Sequence, residues 1–214
     1  MKFLYSLGGG NIPVIREYDI EAKTKFKKGQ VVRISTDGIL SIGAAGGCIG
    51  IAAEDHTGEK DILNERNNGT KLRIDITRDA VYEVDAIKLT ATGGSNTSFV
   101  CSSTGITTNL GNSRLVLVHK GENSENTDSA GTIRKVSNVT VSGTDATFTV
   151  SDGGIISAGD VYALIPKYGY NGYVSDENGT FSCVSSIDTT TAYVVSCNTD
   201  TLTLEVKLKK DFIA

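Results

Sequence analysis

The chain has 214 residues, 39% of them hydrophobic, with 24 glycines, 2 prolines and a formal net charge of −4. That length can bury a sizeable core as one large β domain or two ordinary ones, without disulfide or metal staples. Charges of both signs are interspersed with no basic stripe, which excludes a nucleic-acid footprint, and no run approaches the ~20 apolar residues of a membrane helix. The opening run MKFLYSL is cut by Gly8–Gly10 before it reaches the roughly 7–15 apolar residues of a secretory signal. Synthesis in a cytoplasm without export is the expectation. Short blocks rich in Val, Thr and Ser alternate with glycine turns, and no helical period is sustained. The chain is therefore expected to be all-β, with a barrel- or sandwich-like N-terminal domain, an extended N-terminal arm and a second, smaller β domain.

In chain order, residues 1–30 read as the arm, mixing apolar residues with Gly and Pro without alternation; Pro13 holds Ile12 extended. Phe3, Leu4, Tyr5, Ile12, Val14 and Ile15 must lie against something, either this chain's own barrel or a neighbouring subunit. Lys23, Lys25, Lys27 and Lys28 form the one local basic cluster and read as a solvated loop. Residues 31–120 form the expected barrel. Val31–Ser35 and Ile39–Ile42 flank a turn at Thr36-Asp37-Gly38, and the continuous run from Cys48 to Ala53 suits a strand buried on both faces. Residues 71–77 alternate, with Leu72, Ile74 and Ile76 on one face and charges on the other, as in a half-solvated antiparallel strand. Ala80–Val84 is the next strand. The stretch 99–106 can be laid over 31–39, which leaves internal duplication open beside convergent hairpin chemistry.

Residues 121–131, GENSENTDSAG, are polar and acidic and read as a linker. The second domain follows at 132–214. It contains a hairpin turning at Ser142-Gly143-Thr144, a strand at 160–165, an Asn178-Gly179 hairpin between 172–175 and 180–184, and a final pair at 191–197 and 201–208. Leu202, Leu204, Val206 and Leu208 share one face of the last strand.

No catalytic pattern is evident. His56 and His119 are the only histidines, neither belongs to a triad motif, and both read as solvated turn or strand-end residues. Glu54 and Asp55 are adjacent, so on a strand they would point to opposite faces, which is poor spacing for paired acid/base work. The triple glycine lacks the phosphate-loop pattern. Cys48, Cys101, Cys183 and Cys197 form no CxxC, so neither metal nor cofactor is expected; Cys183 and Cys197 could face each other across a hairpin. Asn68, Asn96, Asn138 and Asn178 open NxS/T triplets and read as turn residues. Tyr162, Tyr168, Tyr170 and Tyr173 cluster in sequence. They are either core and rim of the second domain or a receptor- or glycan-binding surface of an adhesin.

Lys28-Gly29-Gln30-Val31-Val32, Asp37-Gly38-Ile39-Leu40, Ile49-Gly50-Ile51-Ala52-Ala53-Glu54-Asp55 and Val81-Tyr82-Glu83-Val84 carry a resemblance to a known family. They are similar to the "K-G-D-V-V" start, "D-G-K-V" hairpin, "I-G-V-A-L-E-D" strand and "V-Y-E-V" segment of the capsid decoration (cement) proteins of tailed bacteriophages. The resemblance covers about the first 120 residues; Gln30 stands where Asp is usual, and the long arm and C-terminal β segment are unmatched. It implies a non-enzymatic virion protein, commonly a homotrimer, on the outer surface of a phage head. There it bridges subunits of the major capsid protein, with no nucleic acid or membrane as partner. The arm would then be the docking element.

Overall fold

The structure, a computed structural model, describes residues 2–6, 12–20, 24–34, 40–42, 49–56, 71–77, 80–174, 181–183 and 192–208. It is all-β, and one 3₁₀ turn at Thr108–Leu110 is the only helical element among the described residues. The strands are β1 (Lys2–Ser6), β2 (Ile15–Asp19), β3 (Val31–Ile34), β4 (Leu40–Ile42), β5 (Gly50–Ala52), β6 (Lys71–Asp75), β7 (Ala80–Asp85), β8 (Ile87–Gly94), β9 (Ser98–Ser102), β10 (Arg114–His119), β11 (Ile133–Ser142), β12 (Asp145–Val150), β13 (Val161–Ile165), β14 (Asn171–Val174), β15 (Phe181–Cys183), β16 (Ala192–Asn198) and β17 (Thr203–Leu208).

They form three antiparallel sheets. A six-stranded sheet runs β1-β7-β17-β16-β14-β15, a five-stranded sheet runs β2-β6-β5-β3-β4, and a closed six-stranded barrel runs β10-β11-β12-β9-β8-β13. The six-stranded sheet is the hub. The five-stranded sheet is inserted in sequence between β1 and β7, and the barrel between β7 and β14. A parallel bridge from Ile20 to Leu40 joins the two edges of the five-stranded sheet, so that it rolls round its own core of Val32, Leu40, Leu72 and Ile74. The other face of that sheet, through Val31 and Ile51, meets Ala80 and Tyr82 of the hub, in a core continuous with the barrel interior.

This connectivity corrects the expected boundaries. The closed barrel takes its strands from 87–165 rather than 31–120, and β14–β17 join the hub sheet through the pairing of β17 with β7 instead of forming a separate domain at 132–214. The reason is register: Thr203–Lys207 of β17 finds its antiparallel partner in Val81–Asp85, a long-range pairing that local patterning does not encode. Duplication is also not seen. Strand β3 pairs with β4 and β5, whereas β9, over the supposed echo, pairs with β8 and β12.

Strands with one buried face show it as alternation in the sequence. On β17 Leu204, Val206 and Leu208 point inward, and on β12 Ala146, Phe148 and Val150 do so. β5 is buried on both faces, and a Cβ on Gly50 would collide with the Asp75 carbonyl oxygen of β6, so glycine is what lets the two strands approach. In the β11–β12 hairpin Ser142 pairs with Asp145, and Gly143 takes the positive φ of +57° that the two-residue turn needs. The turns at Thr36-Asp37-Gly38 and Asn178-Gly179, together with Cys48, Asn68 and Lys23, lie outside the described residues.

The expected linker is part of the barrel's closure. Segment 121–131 connects neighbouring strands β10 and β11 and is held down by buried polar groups. Asn126 donates to both Asp160 Oδ2 (2.9 Å) and the Tyr162 hydroxyl (2.8 Å), and the Gly121 N–H donates to Asp160 Oδ1 (2.9 Å). Arg134, 1% exposed in its side chain, pairs with Asp128 and donates to the carbonyls of Asn96, Ser151 and Gly154. Burial pushes the Asp160 carboxyl up, but the hydrogen bonds from Ser124, Gly121, Asn126 and Ser157 outweigh it and leave its pKa below the ordinary value. The segment has the composition of a linker because its partners are polar groups elsewhere in the chain.

Candidate functional site: the N-terminal elbow and the cavity beneath it

The described parts of residues 1–30 do not stand away from the body. β1 pairs with β7 of the hub, and β2 pairs with β6 of the five-stranded sheet, so the segment straddles two sheets. Phe3 lies opposite Tyr82 in register and meets it edge-on, ring centres 5.9 Å apart. Of the residues expected in a docking arm, Phe3, Leu4 and Ile15 are half-buried, and the Tyr5 side chain lies outside the described residues. Phe3 packs on the main core. Ile12 and Val14 instead face solvent, 83% and 49% exposed.

The backbone of this elbow, residues 12–14 ahead of β2, is nevertheless fixed at Val14. The Val14 N–H donates to Thr77 Oγ1 (2.7 Å), and the Val14 carbonyl accepts from the Ile76 N–H (2.9 Å). Thr77 is positioned in turn by Asp75, whose Oδ1 accepts from both the Thr77 N–H (2.9 Å) and its hydroxyl. The Tyr82 hydroxyl reaches Asp75 Oδ2 at 3.1 Å. Here the reading of residues 71–77 needs correction: Asp75 is not on a solvated face but 5% exposed, because that face is covered by the hub sheet carrying Tyr82.

Beside the elbow lies a cavity of about 500 Å³, lined by Phe3, Pro13, Ile15, Ile51, Asp75 and Tyr82, among others, with Lys28 also on its lining. Register explains its walls. Asp75 stands directly between Ile15 on β2 and Ile51 on β5, and antiparallel partners point to the same face. Ile15, Asp75 and Ile51 therefore project together toward Phe3 and Tyr82 of the hub. Sequence reasoning found Ile15 and Phe3 but missed Asp75 and Tyr82, since only the packing of one sheet on another brings them together.

The other candidates are dispersed. Tyr162 and Tyr170 are buried, the latter with its hydroxyl 3.0 Å from Thr107 Oγ1, while Tyr168 is 76% exposed and the Tyr173 side chain lies outside the described residues. Tyr162 on β13 and Tyr170 before β14 are thus turned into the core while Tyr168 stands out in the turn between them, so these three do not share one surface. His56 is buried, not solvated; its Nδ1 lies 3.3 Å from the Thr24 carbonyl and its ring meets Phe26 edge-on. His119 is exposed at the end of β10, as expected. Cys197 is a free thiol receiving a hydrogen bond from Arg114 (3.2 Å), and β14 lies between its strand and that of Cys183, so the two are not hairpin partners. Among the described residues no group of three or more His, Cys, Asp or Glu side chains is arranged to hold a metal ion, and no helix is long and apolar enough to cross a membrane.

No family model matches the chain, and no curated protein matches it. Among solved structures, a chain from Mycobacterium phage Patience is similar over 100% of this chain and 99% of that one, at 19% identity and a TM-score of 0.34, too loose a superposition to define a shared fold.

Proposed function

We propose that the protein is a non-enzymatic virion component that decorates and stabilises a phage capsid by bridging subunits of the major capsid protein. The observation that carries the reading is the elbow. Two apolar side chains, Ile12 and Val14, face solvent on a segment whose backbone is fastened at Val14 to the continuation of β6. Ordering costs are already met there, so each buried side chain adds to affinity with little entropy lost on docking. The decoration-protein resemblance of residues 28–84 supports the same reading, and so does a body in which the hub sheet, one face of the five-stranded sheet and the barrel share a hydrophobic core. Such a body transmits load between capsid subunits instead of deforming.

In this reading the protein acts on the outer capsid surface, as a homotrimer whose three elbows engage together. Closed symmetry then multiplies a modest single contact. It needs no cofactor, metal, nucleic acid or membrane. The test is co-sedimentation with expanded capsids of the phage that encodes it: saturable binding is expected, and it is lost when Ile12 and Val14 are both changed to Asp. Absence of saturable binding by the unaltered protein overturns the proposal.

A further inference from the structure

We propose that the cavity beneath the elbow is a binding site for an apolar stem ending in a primary ammonium group. The inference stands on the cavity's own chemistry and is independent of the capsid reading. A volume of about 500 Å³ falls within the range of about 300–1,000 Å³ typical of ligand sites. Its walls are mostly apolar, from Phe3, Pro13, Ile15, Ile51 and the ring of Tyr82, and its one acidic group is the Asp75 carboxylate.

That carboxylate is 5% exposed, and among the described residues no cationic side chain forms an ion pair with it. Lys28, which also lines the cavity, is solvent-exposed and not in ion-pair contact with Asp75. Burying a carboxylate away from water without a cation is costly, and neutral donors offset only part of that cost. Asp75 Oδ1 takes two donors from Thr77, whereas Oδ2 takes one, from Tyr82. A carboxylate offers about four acceptor positions, so Oδ2 has one left, and Asp75 lines the cavity. An ammonium group there supplies the missing charge and fills that position, while its alkyl stem lies along Ile15 and Ile51. The Tyr82 and Thr77 donors hold the carboxylate in place before the ligand arrives. At Oδ2 an anionic group would be repelled by the carboxylate, and a neutral one would forgo the charge-assisted bond.

Two sources carry this chemistry, a free alkylamine and a lysine side chain presented by another protein. The test titrates the full chain calorimetrically with n-hexylammonium, with 1-hexanol, and with a capped peptide bearing one lysine between valines. The expected result is 1:1 binding of hexylammonium or of the peptide, with hexanol about tenfold weaker or worse than hexylammonium. Whichever of the amine and the peptide binds tighter identifies the source. Asp75→Asn should erase the preference for the amine over the alcohol, and Ile15→Phe, which fills the cavity, should weaken both. The comparison of amine with alcohol on the unaltered chain requires no variant to fold. Equal binding of hexylammonium and hexanol, failure of both amine and peptide to bind, or a preference that survives in folded Asp75→Asn overturns the proposal.

Discussion

Arg134→Met should destabilise the barrel by about 3–4 kcal/mol. The guanidinium makes five hydrogen bonds: two to Asp128 Oδ2, and one each to the carbonyls of Asn96, Ser151 and Gly154. Methionine retains the apolar stem and so most of the packing, but it leaves one carboxylate and three carbonyls without their charged donor. Breaking a buried pair from one side costs roughly 3–5 kcal/mol. The Asp128 side chain is 12% exposed and can recover some hydration, which places the estimate in the lower half of that range. Against a total stability of roughly 5–15 kcal/mol such a loss is severe. A second substitution tests the mechanism. A Cβ on Gly153 would overlap the guanidinium, so Gly153→Ala should cost about 2 kcal/mol in the natural sequence and clearly less in the Arg134→Met background, where the obstructing group is gone. Urea unfolding followed by tyrosine fluorescence, with hydrogen exchange of the Phe148 and Tyr162 amides as a barrel-specific probe, reads both effects. A loss below about 1 kcal/mol for Arg134→Met, or strictly additive costs in the double variant, would refute the assignment of this network as the closure of the barrel.

Asp160 has a pKa below the ordinary carboxylate value, so its ionised form contributes stability that is fully present above the unfolded pKa of about 3.9 and is lost as pH falls through the folded value. The stability gap between the natural protein and Asp160→Asn should therefore stay constant from pH 7 down to about 4 and narrow below it in acid-denaturation curves. Cys101 is buried, and burial with the nearby Asp145 charge pushes its pKa up to about 11. Peptide mapping after brief iodoacetamide treatment at about pH 8 should find Cys197 labelled well before Cys101. The Ile12→Asp/Val14→Asp protein should keep its thermal midpoint within a degree or two, since both side chains are already exposed; a marked drop would show that the elbow supports the fold instead of a partner.

Strands with one buried face were legible residue by residue. Leu72 and Ile74 on β6, and Leu204, Val206 and Leu208 on β17, alternate as a half-buried strand must. β8 escaped notice because two of its positions on the Leu89 side are Ala91 and Gly93, too small to mark a period. β1 and β2 look like an unpaired arm in sequence because their partners on β7 and β6 lie 52 to 81 residues further along the chain, which no local window contains. One signal for the polar closure was present. Arg134 shares strand parity with Val136, which put a cation on the inward face of β11 and called for a counter-charge such as Asp128. Asp75 gave no such warning. It has the parity of Arg73, which is exposed, and it is buried only because the hub sheet covers its end of β6.

The elbow's role as the docking element is the central claim, and one binding measurement addresses it directly. Purified natural protein and the Ile12→Asp/Val14→Asp variant, both verified as folded by circular dichroism, are sedimented with expanded capsids over a range of concentrations. The expected outcome is saturable binding of the natural protein and at least a tenfold weaker apparent affinity for the variant. Equal binding by the two proteins would contradict the account and move the capsid contact elsewhere on the surface.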